Sequence, residues 1–308
     1  MKIPVLDHGY VEFVEGWGHG EVGRTFVSHY GDPENSHESY EEDLEVGIIE
    51  AARQSTKGSF RGWAPAPCDC DHKAREDKAN SGFAEELSAD IFANRPTVAH
   101  RPECASIKSP GDAKLLRYLH ENSHSTPFEF AGMVIEVQAP IFIFREWHRH
   151  RTQSYNEMSA RYAPLPDLNY IPDAEVLADR IAQAQMGSVN RQAQALGQQE
   201  AILDPLERAN EFKHRLRCAY EEAQDEYDWY LKQGIPKEIA RLVLPVGRYS
   251  KMRASANLRN WLSFLTLRCD PKAQWEIQQY ANAVANIIAE KFPQTFKLWD
   301  EDVYGVDP

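Results

Sequence analysis

Hydrophobic and polar positions alternate in two stretches of the chain. They are YVEFV (residues 10–14) and GMVIEVQAP (132–140). Alternation with a period of two predicts strands that bury one face. The next stretch, IFIFREWHRHR (141–151), fits either element, because its aromatic and β-branched residues favour a strand while Pro140 can open a helix.

Helical spacing of apolar residues dominates the second half of the chain. The segment 207–234 is predicted to be an amphipathic helix with its apolar residues along one face. Gly234 is suited to end this helix. Near residue 126 we expect Thr126 to cap a helix whose first residue is Pro127. The other predicted helices are YEEDLEVGIIEAARQS (40–55, with acidic residues in its first turn), FAEELSADIF (83–92), DAKLLRYLHEN (112–122), IPKEIARLVLP (235–245), ANLRNWLSFLTLR (256–268) and QWEIQQYANAVANIIAEKF (274–292, ending at Pro293).

These elements predict an α+β fold with a mixed antiparallel sheet and a helix-rich second half. Two segments interrupt the pattern. Residues 56–110 are polar and irregular, and residues 173–210 are rich in Ala and Gln. We interpret both as insertions in one domain that spans residues 1–308.

Charge and cysteine content narrow the class of protein. The formal net charge is −13 and the pI is about 5.4, so general binding to nucleic acids or membrane surfaces is disfavoured. The five cysteines are odd in number and scattered, which is typical of reduced thiols in a cytoplasmic protein. The N-terminus has no apolar signal region, and the most apolar run is broken by Glu136, Gln138 and Pro140. We therefore expect a soluble, cytoplasmic protein.

Against this acidic background, one segment concentrates positive charge. REWHRHRTQSYNEMSARY (145–162) contains four arginines and two histidines, followed by small hydrogen-bonding side chains. Arginine matches phosphate with a planar fork of donors, so the segment suits a phosphorylated small molecule such as a nucleotide. Three other interpretations compete: a solvated surface, an arginine-rich RNA-binding segment, and a zinc site built from His148 and His150.

The stretch RHRTQSYNEMS (149–159) resembles the signature of the flavin-dependent thymidylate synthases, the ThyX type. Further segments resemble the same family in the same order: HSTPFEF (124–130), APIFIFREW (139–147), GIPKEIARLVLP (234–245), NLR (257–259) and FLTLRCDPKAQWEIQQYA (264–281). The resemblance covers about two-thirds of the chain and leaves out the two predicted insertions.

The resemblance implies a fold, an activity and an assembly. These enzymes convert dUMP to dTMP. They take a methylene group from methylenetetrahydrofolate and a hydride from FADH2, which forms when NADPH reduces FAD. The family fold is a homotetramer whose FAD and dUMP sites are shared between subunits. An acidic protein that holds two phosphorylated ligands needs local positive charge, which explains the arginine-rich segment.

The resemblance also implies roles for individual residues. The expected FAD-binding residues are His124, Thr126, Arg149, His150, Arg151, Glu157, Asn257, Arg259 and Ser263. The expected dUMP-binding residues are Glu146, Arg149, Glu157, Ser159, Ala160, Arg161, Arg241 and Arg268. Arg268 is the expected catalytic residue, since it would face the uracil and stabilise its N3-deprotonated form. No metal is implied, and no cysteine has a catalytic role.

Two positions depart from the family pattern. Glu146 stands where Gln is more usual, and a carboxylate beside a phosphate is unfavourable, so we expect it to accept from a ribose hydroxyl or to pair with an arginine. Ser263 replaces a longer amide or imidazole side chain. The alternative function is a module that binds nucleic acid or a phosphorylated partner without chemistry. Such a module would purify colourless, whereas a flavoenzyme would be yellow.

Overall fold

The structure is a computed structural model. It describes residues 1–18, 20–28, 36–54, 60, 62–63, 66–67, 108–109, 111–185 and 204–305. The helix predicted at 83–92, most of the segment 56–110 and the middle of the segment 173–210 lie outside these residues, as do Cys68, Cys70 and Cys104.

A five-stranded sheet with the order β1-β2-β7-β9-β8 is the largest sheet of the described residues. The strand pairs at the two edges of this sheet, β1 with β2 and β8 with β9, are antiparallel. Two antiparallel pairs, β3 with β4 and β5 with β6, form separate two-stranded sheets. The strands are β1 (Lys2–Val5), β2 (Gly9–Trp17), β3 (Gly20–Ser28), β4 (Ser36–Asp43), β5 (Ala66–Pro67), β6 (Lys108–Ser109), β7 (Gly132–Pro140), β8 (Ser154–Glu157) and β9 (Tyr249–Asn257).

Helices account for most of the chain after the central strand β7. None of the described helices is long and apolar enough to cross a bilayer. The α-helices are α1 (Val46–Arg53), α2 (Asp112–Glu121), α3 (Ile141–Trp147), α4 (Ala174–Gln185), α5 (Pro205–Lys232), α6 (Lys237–Ala240), α7 (Leu258–Arg268), α8 (Trp275–Lys291) and α9 (Pro293–Tyr304), and two 3-10 segments cover Thr126–Glu129 and Arg241–Val243.

Most of the predicted elements are confirmed, and two of their starts are wrong. Residues 40–43 belong to β4, whose backbone pairs with β3 as far as Asp43, so helix α1 begins only at Val46. Thr126 is not a helix cap. It is the first residue of its 3-10 segment, because the turn already closes with the Phe128 amide donating to the Ser125 carbonyl (3.2 Å). The ambiguous stretch after Pro140 is helical.

The chain divides into two compact units. The first consists of residues 1–14, 134–256 and 263–286, and the second of residues 15–133, 257–262 and 287–308. Several of the boundaries between the two units fall within a single strand or helix. The assignment of residues 1–308 to one domain stays a prediction.

Aromatic packing behind the sheet forms the core of the first unit. The Trp147 ring stacks on Phe264 with centroids 4.7 Å apart, and its edge contacts the Tyr280 ring. All three side chains are fully buried. The Tyr280 hydroxyl donates to the Gln138 carbonyl (2.9 Å) and so satisfies its polar end. This packing joins α3, α7 and α8, the helices that carry the site described below.

The second unit buries three ionisable side chains, Arg53, Asp112 and Glu45. Arg53 of α1 pairs with Asp112 at the start of α2, and both side chains are almost fully buried. Glu45 is also buried and accepts from the Gln294 and Thr295 amides (2.9 and 2.6 Å) in the first turn of α9. Burial raises the pKa of Glu45 to about 7, although these hydrogen bonds act in the opposite direction.

Candidate active site

Helix α3 precedes the RHR residues of the arginine-rich segment, whose arginines lie at the surface of the first unit. Pro140 precedes its first residue with an extended ψ of 143°, which suits a helix start. The helix buries Ile143, Phe144 and Trp147, so Glu146 is left at the edge of the core, half-buried. The helix ends at Trp147, and RHR follows at residues 149–151.

Hydrogen bonds fix the backbone of this RHR turn. The His150 amide donates to the Trp147 carbonyl (3.0 Å), and the Gln153 amide donates to the His150 carbonyl (3.1 Å). The Tyr155 hydroxyl lies against both carbonyls, at 3.0 Å from Trp147 O and 2.7 Å from His150 O. The Trp147 indole donates to Gln153 Oε1 (3.1 Å). The turn is therefore anchored on both sides to the buried Trp147.

Arg268, the last residue of α7, is held on three sides by this segment. Its Nε donates to Nε2 of His150 (3.0 Å), its Nη1 to Oε2 of Glu146 (2.9 Å), and its Nη2 to the Glu146 carbonyl (2.9 Å). The pairing of Glu146 with an arginine was one of the two arrangements expected from the sequence. Each Nη keeps a second N–H for a ligand.

Burial determines the charge state of the histidine in this cluster. Burial and, to a smaller extent, the neighbouring Arg268 cation together lower the pKa of His150 to about 4. His150 is therefore neutral at pH 7, and because Nε2 accepts from Arg268, its proton lies on Nδ1. Burial raises the pKa of Glu146 against the attraction of Arg268, and the charge of Glu276 acts in the same direction as burial.

An open cleft of about 690 Å³ lies in front of Arg268. Its volume is in the range of roughly 300–1,000 Å³ that ligand sites occupy. Three cationic side chains line it together with two carboxylates and an amide. The lining residues are Glu146, Arg149, Leu267, Arg268, Asp270, Lys272, Ala273 and Gln274.

Four of the predicted ligand-binding arginines, Arg149, Arg151, Arg161 and Arg241, are exposed. Among the residues that the structure describes, no carboxylate lies within ion-pair distance of any of them. In a chain with 47 acidic and 34 basic residues, unpaired exposed arginines are suited to anionic groups from outside. Both the phosphate-binding interpretation and the solvated-surface interpretation fit exposed arginines without carboxylate partners.

The small side chains after the turn lie beside Arg161. Ser159 Oγ accepts weakly from the Arg161 amide and from its Nε (3.4 and 3.5 Å), and the neighbouring Ala160 is buried. Glu157 is exposed on β8, where its backbone pairs with Met252 of β9. Ser263 is exposed on α7. These positions agree with ligand contacts, but their assignment to FAD or dUMP stays a prediction.

The second unit holds the other four predicted FAD-binding residues. His124 and Thr126 are exposed, and the His124 ring makes an edge contact with Tyr118. Asn257 accepts at Oδ1 from the Asn260 amide (3.0 Å), so its side chain caps helix α7. Arg259 pairs with Glu129.

The zinc interpretation finds no support in the first unit. His148 stacks on Phe144 and contacts the edge of Tyr155, while His150 packs against Phe264. The two imidazoles thus serve different contacts. Over the described part of the chain, no three His, Cys, Asp or Glu residues are grouped to hold a metal ion.

Several residues at the cleft were not predicted individually. Lys272 and Gln274 line it, and Glu276 lies behind Gln274. All three belong to the segment 264–281, whose family resemblance was the available signal. Cys269 follows Arg268 directly, and burial raises the pKa of its thiol to about 11, so it is protonated at neutral pH.

The fold and the site define a class of protein: an α+β protein with a cationic cleft suited to phosphorylated ligands. The family model described as thymidylate synthase complementing protein matches residues 38–294. The flavin-dependent thymidylate synthase of Thermosipho africanus is 38% identical over 202 residues, which cover 65% of this chain and 82% of that protein. The enzyme of the same name from Thermus thermophilus is 39% identical over 191 residues, covering 62% and 64%.

A solved structure is similar over nearly the whole chain. It is the UMP/dUMP methylase PolB from Streptomyces cacaoi bound to 5-Br dUMP, with a TM-score of 0.60, 26% identity, and coverage of 99% of this chain and 100% of that one. The chain therefore belongs to the flavin-dependent thymidylate synthase family, and it is a methyltransferase that uses FAD.

Proposed function

We propose that this protein converts dUMP to dTMP with methylenetetrahydrofolate as methylene donor and FADH2, reduced by NADPH, as hydride donor. The observation that carries the proposal is the guanidinium of Arg268, held on three sides at a cleft whose walls bear further cations. The methyl group of dTMP then consists of the donated methylene and the hydride, and the C5 hydrogen of uracil leaves as a proton.

The exposed arginines fit the phosphates of both ligands. Arg149 and Arg151 would hold the FAD phosphates together with the other predicted FAD residues. Arg149, Arg161 and Arg241 would bind the phosphate and sugar of dUMP. Their lack of carboxylate partners among the described residues supports this, because a bound phosphate supplies the missing negative charge. When bound, FAD accepts electrons from NADPH and delivers them as hydride.

Arg268 is proposed to stabilise negative charge on the uracil. Its permanent cation needs no proton transfer, and the bonds to Glu146 and His150 fix its orientation before substrate arrives. Charge stabilisation by a preorganised donor is worth more than stabilisation by a mobile one. Ser159 has no neighbouring base in its described contacts, so it is proposed as a phosphate ligand and not as a nucleophile.

The proposed assembly is a homotetramer with shared sites. The first unit supports it with a run of exposed apolar side chains, since Ile239, Leu242 and Val246 are 53%, 77% and 61% exposed. Exposed apolar side chains are available for contact with another subunit. The cytoplasm is the proposed location, because scattered cysteines of odd number remain reduced there.

The test is an anaerobic assay of the purified protein with FAD, NADPH, methylenetetrahydrofolate and dUMP, scoring dTMP. UMP replaces dUMP in a parallel reaction, because PolB is a methylase of both nucleotides. We expect Arg268→Ala to retain FAD and to lose about 10²- to 10³-fold in kcat, as sites do when a charge-stabilising donor is removed. Arg215→Ala is the control, since Arg215 forms an exposed pair with Glu211 on α5.

Two results would overturn the proposal. A yellow parent that makes no dTMP would be a flavoprotein with another substrate. A colourless parent that binds RNA, with affinity falling steeply as salt rises, would be the binding module without chemistry. Full turnover by Arg268→Ala would leave the reaction intact and remove Arg268 from the catalytic role.

A further inference from the structure

A buried carboxylate lies directly behind the cleft. The Glu276 side chain, in the first turn of α8, is only 5% exposed. It accepts from the Tyr170 hydroxyl (3.4 Å), from Nη1 of Arg180, and from Nε2 of Gln274 (2.8 Å). A carboxylate at such depth is stable in its charged form only when it is paired and hydrogen-bonded. Arg180 supplies the pairing cation.

The pairing arginine comes from a part of the chain without an assigned role. Arg180 lies on α4, at the start of the segment 173–210, which is predicted to be an insertion. Helix α4 packs against α5, and the Arg180 side chain is 39% exposed. The guanidinium thus reaches the buried Glu276 from the surface of the first unit.

Gln274 connects Glu276 to the cleft, since it contacts the second carboxylate oxygen of Glu276. Gln274 lines the cleft with Glu146 and Arg268. A carboxylate only accepts hydrogen bonds, so its contact with Glu276 determines which end of the Gln274 amide is nitrogen. One N–H is used by Glu276 Oε2, and the other N–H and the Oε1 acceptor remain for a polar ligand.

We propose that Arg180 is a positioning residue for the substrate cleft: it holds Glu276, and Glu276 holds the Gln274 amide in the orientation that contacts the bound nucleotide. Helix α4, which lies in the predicted insertion 173–210, would thereby have a role in the reaction. The inference rests on the proposed function, since it takes the cleft to be the dUMP site. Gln274 acts in binding the nucleotide, whereas Arg180 and Glu276 act through Gln274.

The test compares Arg180→Met, Arg180→Lys, Gln274→Ala and a control, Arg215→Met, in the FAD-loaded protein. Two quantities are measured on each sample: the Kd of dUMP by calorimetric titration, and kcat and KM for dTMP formation. For Arg180→Met and Gln274→Ala we expect the Kd and KM of dUMP to rise about fivefold to tenfold, the factor for one lost hydrogen bond, with kcat nearly unchanged. Arg180→Lys restores a cation and should recover most of the affinity.

The split between binding and turnover separates this role from a purely structural one. A loss of folded protein would lower active-site content without changing Kd or KM. Parental Kd and KM in Arg180→Met would overturn the inference while leaving the proposed function intact, as would a failure of Arg180→Lys to recover affinity. A parent that neither binds dUMP nor makes dTMP would overturn the proposed function and this inference together.

Discussion

The neutral imidazole of His150 is what allows Arg268 to hold its position. A protonated His150 would offer a donor to the donor Nε and would add a second positive charge at 3.0 Å. Burial prevents this, since it lowers the pKa of His150 to about 4. The RHR segment therefore combines exposed arginines with a half-buried histidine that orients Arg268.

The same lowered pKa predicts a pH dependence of stability. The unfolded chain protonates His150 near pH 6.5 and the folded chain only near pH 4, so His150 costs no stability above pH 6.5 and destabilises the fold progressively between pH 6.5 and 4. We expect about 1.5 kcal/mol over this window, roughly half of what the full shift implies, because the side chain is only half-buried.

Urea unfolding of the parent and of His150→Gln at pH 7.0 and pH 4.5 measures this contribution. Glutamine does not titrate, so the parent should lose more stability than the variant between the two pH values. Equal losses in both proteins would mean that His150 titrates normally in the folded chain.

At the scale of elements, helix α7 connects the predicted ligand residues of the two units. It begins after Asn257, carries Arg259 and Ser263, and ends at Arg268. Asn257 and Arg259 belong to the second unit, whereas Ser263 and Arg268 belong to the first. The predicted roles of these residues imply that a change at the helix start would affect FAD binding and that a change at Arg268 would affect dUMP binding.

Asn257 has a structural role and a predicted role in binding FAD, and substitutions separate the two. Aspartate keeps the acceptor that caps α7, whereas alanine removes it. Asn257→Ala should lower the free energy of unfolding by about 1 kcal/mol, and Asn257→Asp should leave it nearly unchanged. Both variants lose the amide N–H, so both should bind FAD more weakly if Asn257 contacts it. FAD fluorescence titration and urea unfolding give the two readouts, and normal FAD affinity in Asn257→Asp would exclude the contact.

The sequence predicted the long helices because their apolar stripes are regular, and it predicted the RHR segment because its charge density is unusual. It missed β9, although residues 249–257 alternate between buried and open positions, because Lys, Arg, Ser and Asn weaken the strand pattern. Pro293 was interpreted as the end of a helix, yet it also opens α9. The contact of Glu146 with Arg268 joins residues 122 positions apart, which no local pattern encodes.

At the scale of the whole molecule, the second unit contains the buried pair of Arg53 and Asp112. Its side chains are 5% and 0% exposed. Removing one partner leaves an uncompensated buried charge, so Arg53→Met or Asp112→Leu alone should cost about 3–5 kcal/mol of unfolding free energy, and the double substitution should cost less than either.

Arg117→Met is the matched control for this pair. Arg117 bonds to Glu301 at 2.8 Å but is 44% exposed, so its loss should cost at most about 1 kcal/mol. Thermal and urea unfolding measure all four proteins. A cost for Arg53→Met no larger than that of the control would show that the pair is not essential to the unit.

The raised pKa of the Cys269 thiol affects how easily peroxide oxidises it. Reduced flavins react with dioxygen and release hydrogen peroxide, which attacks cysteines as thiolates. Cys269 follows Arg268 directly in the chain, and its thiol is free and partly buried. Its pKa of about 11 leaves roughly one thiol in ten thousand ionised at pH 7. A cysteine can therefore stand beside Arg268 through many oxidative side reactions without being consumed.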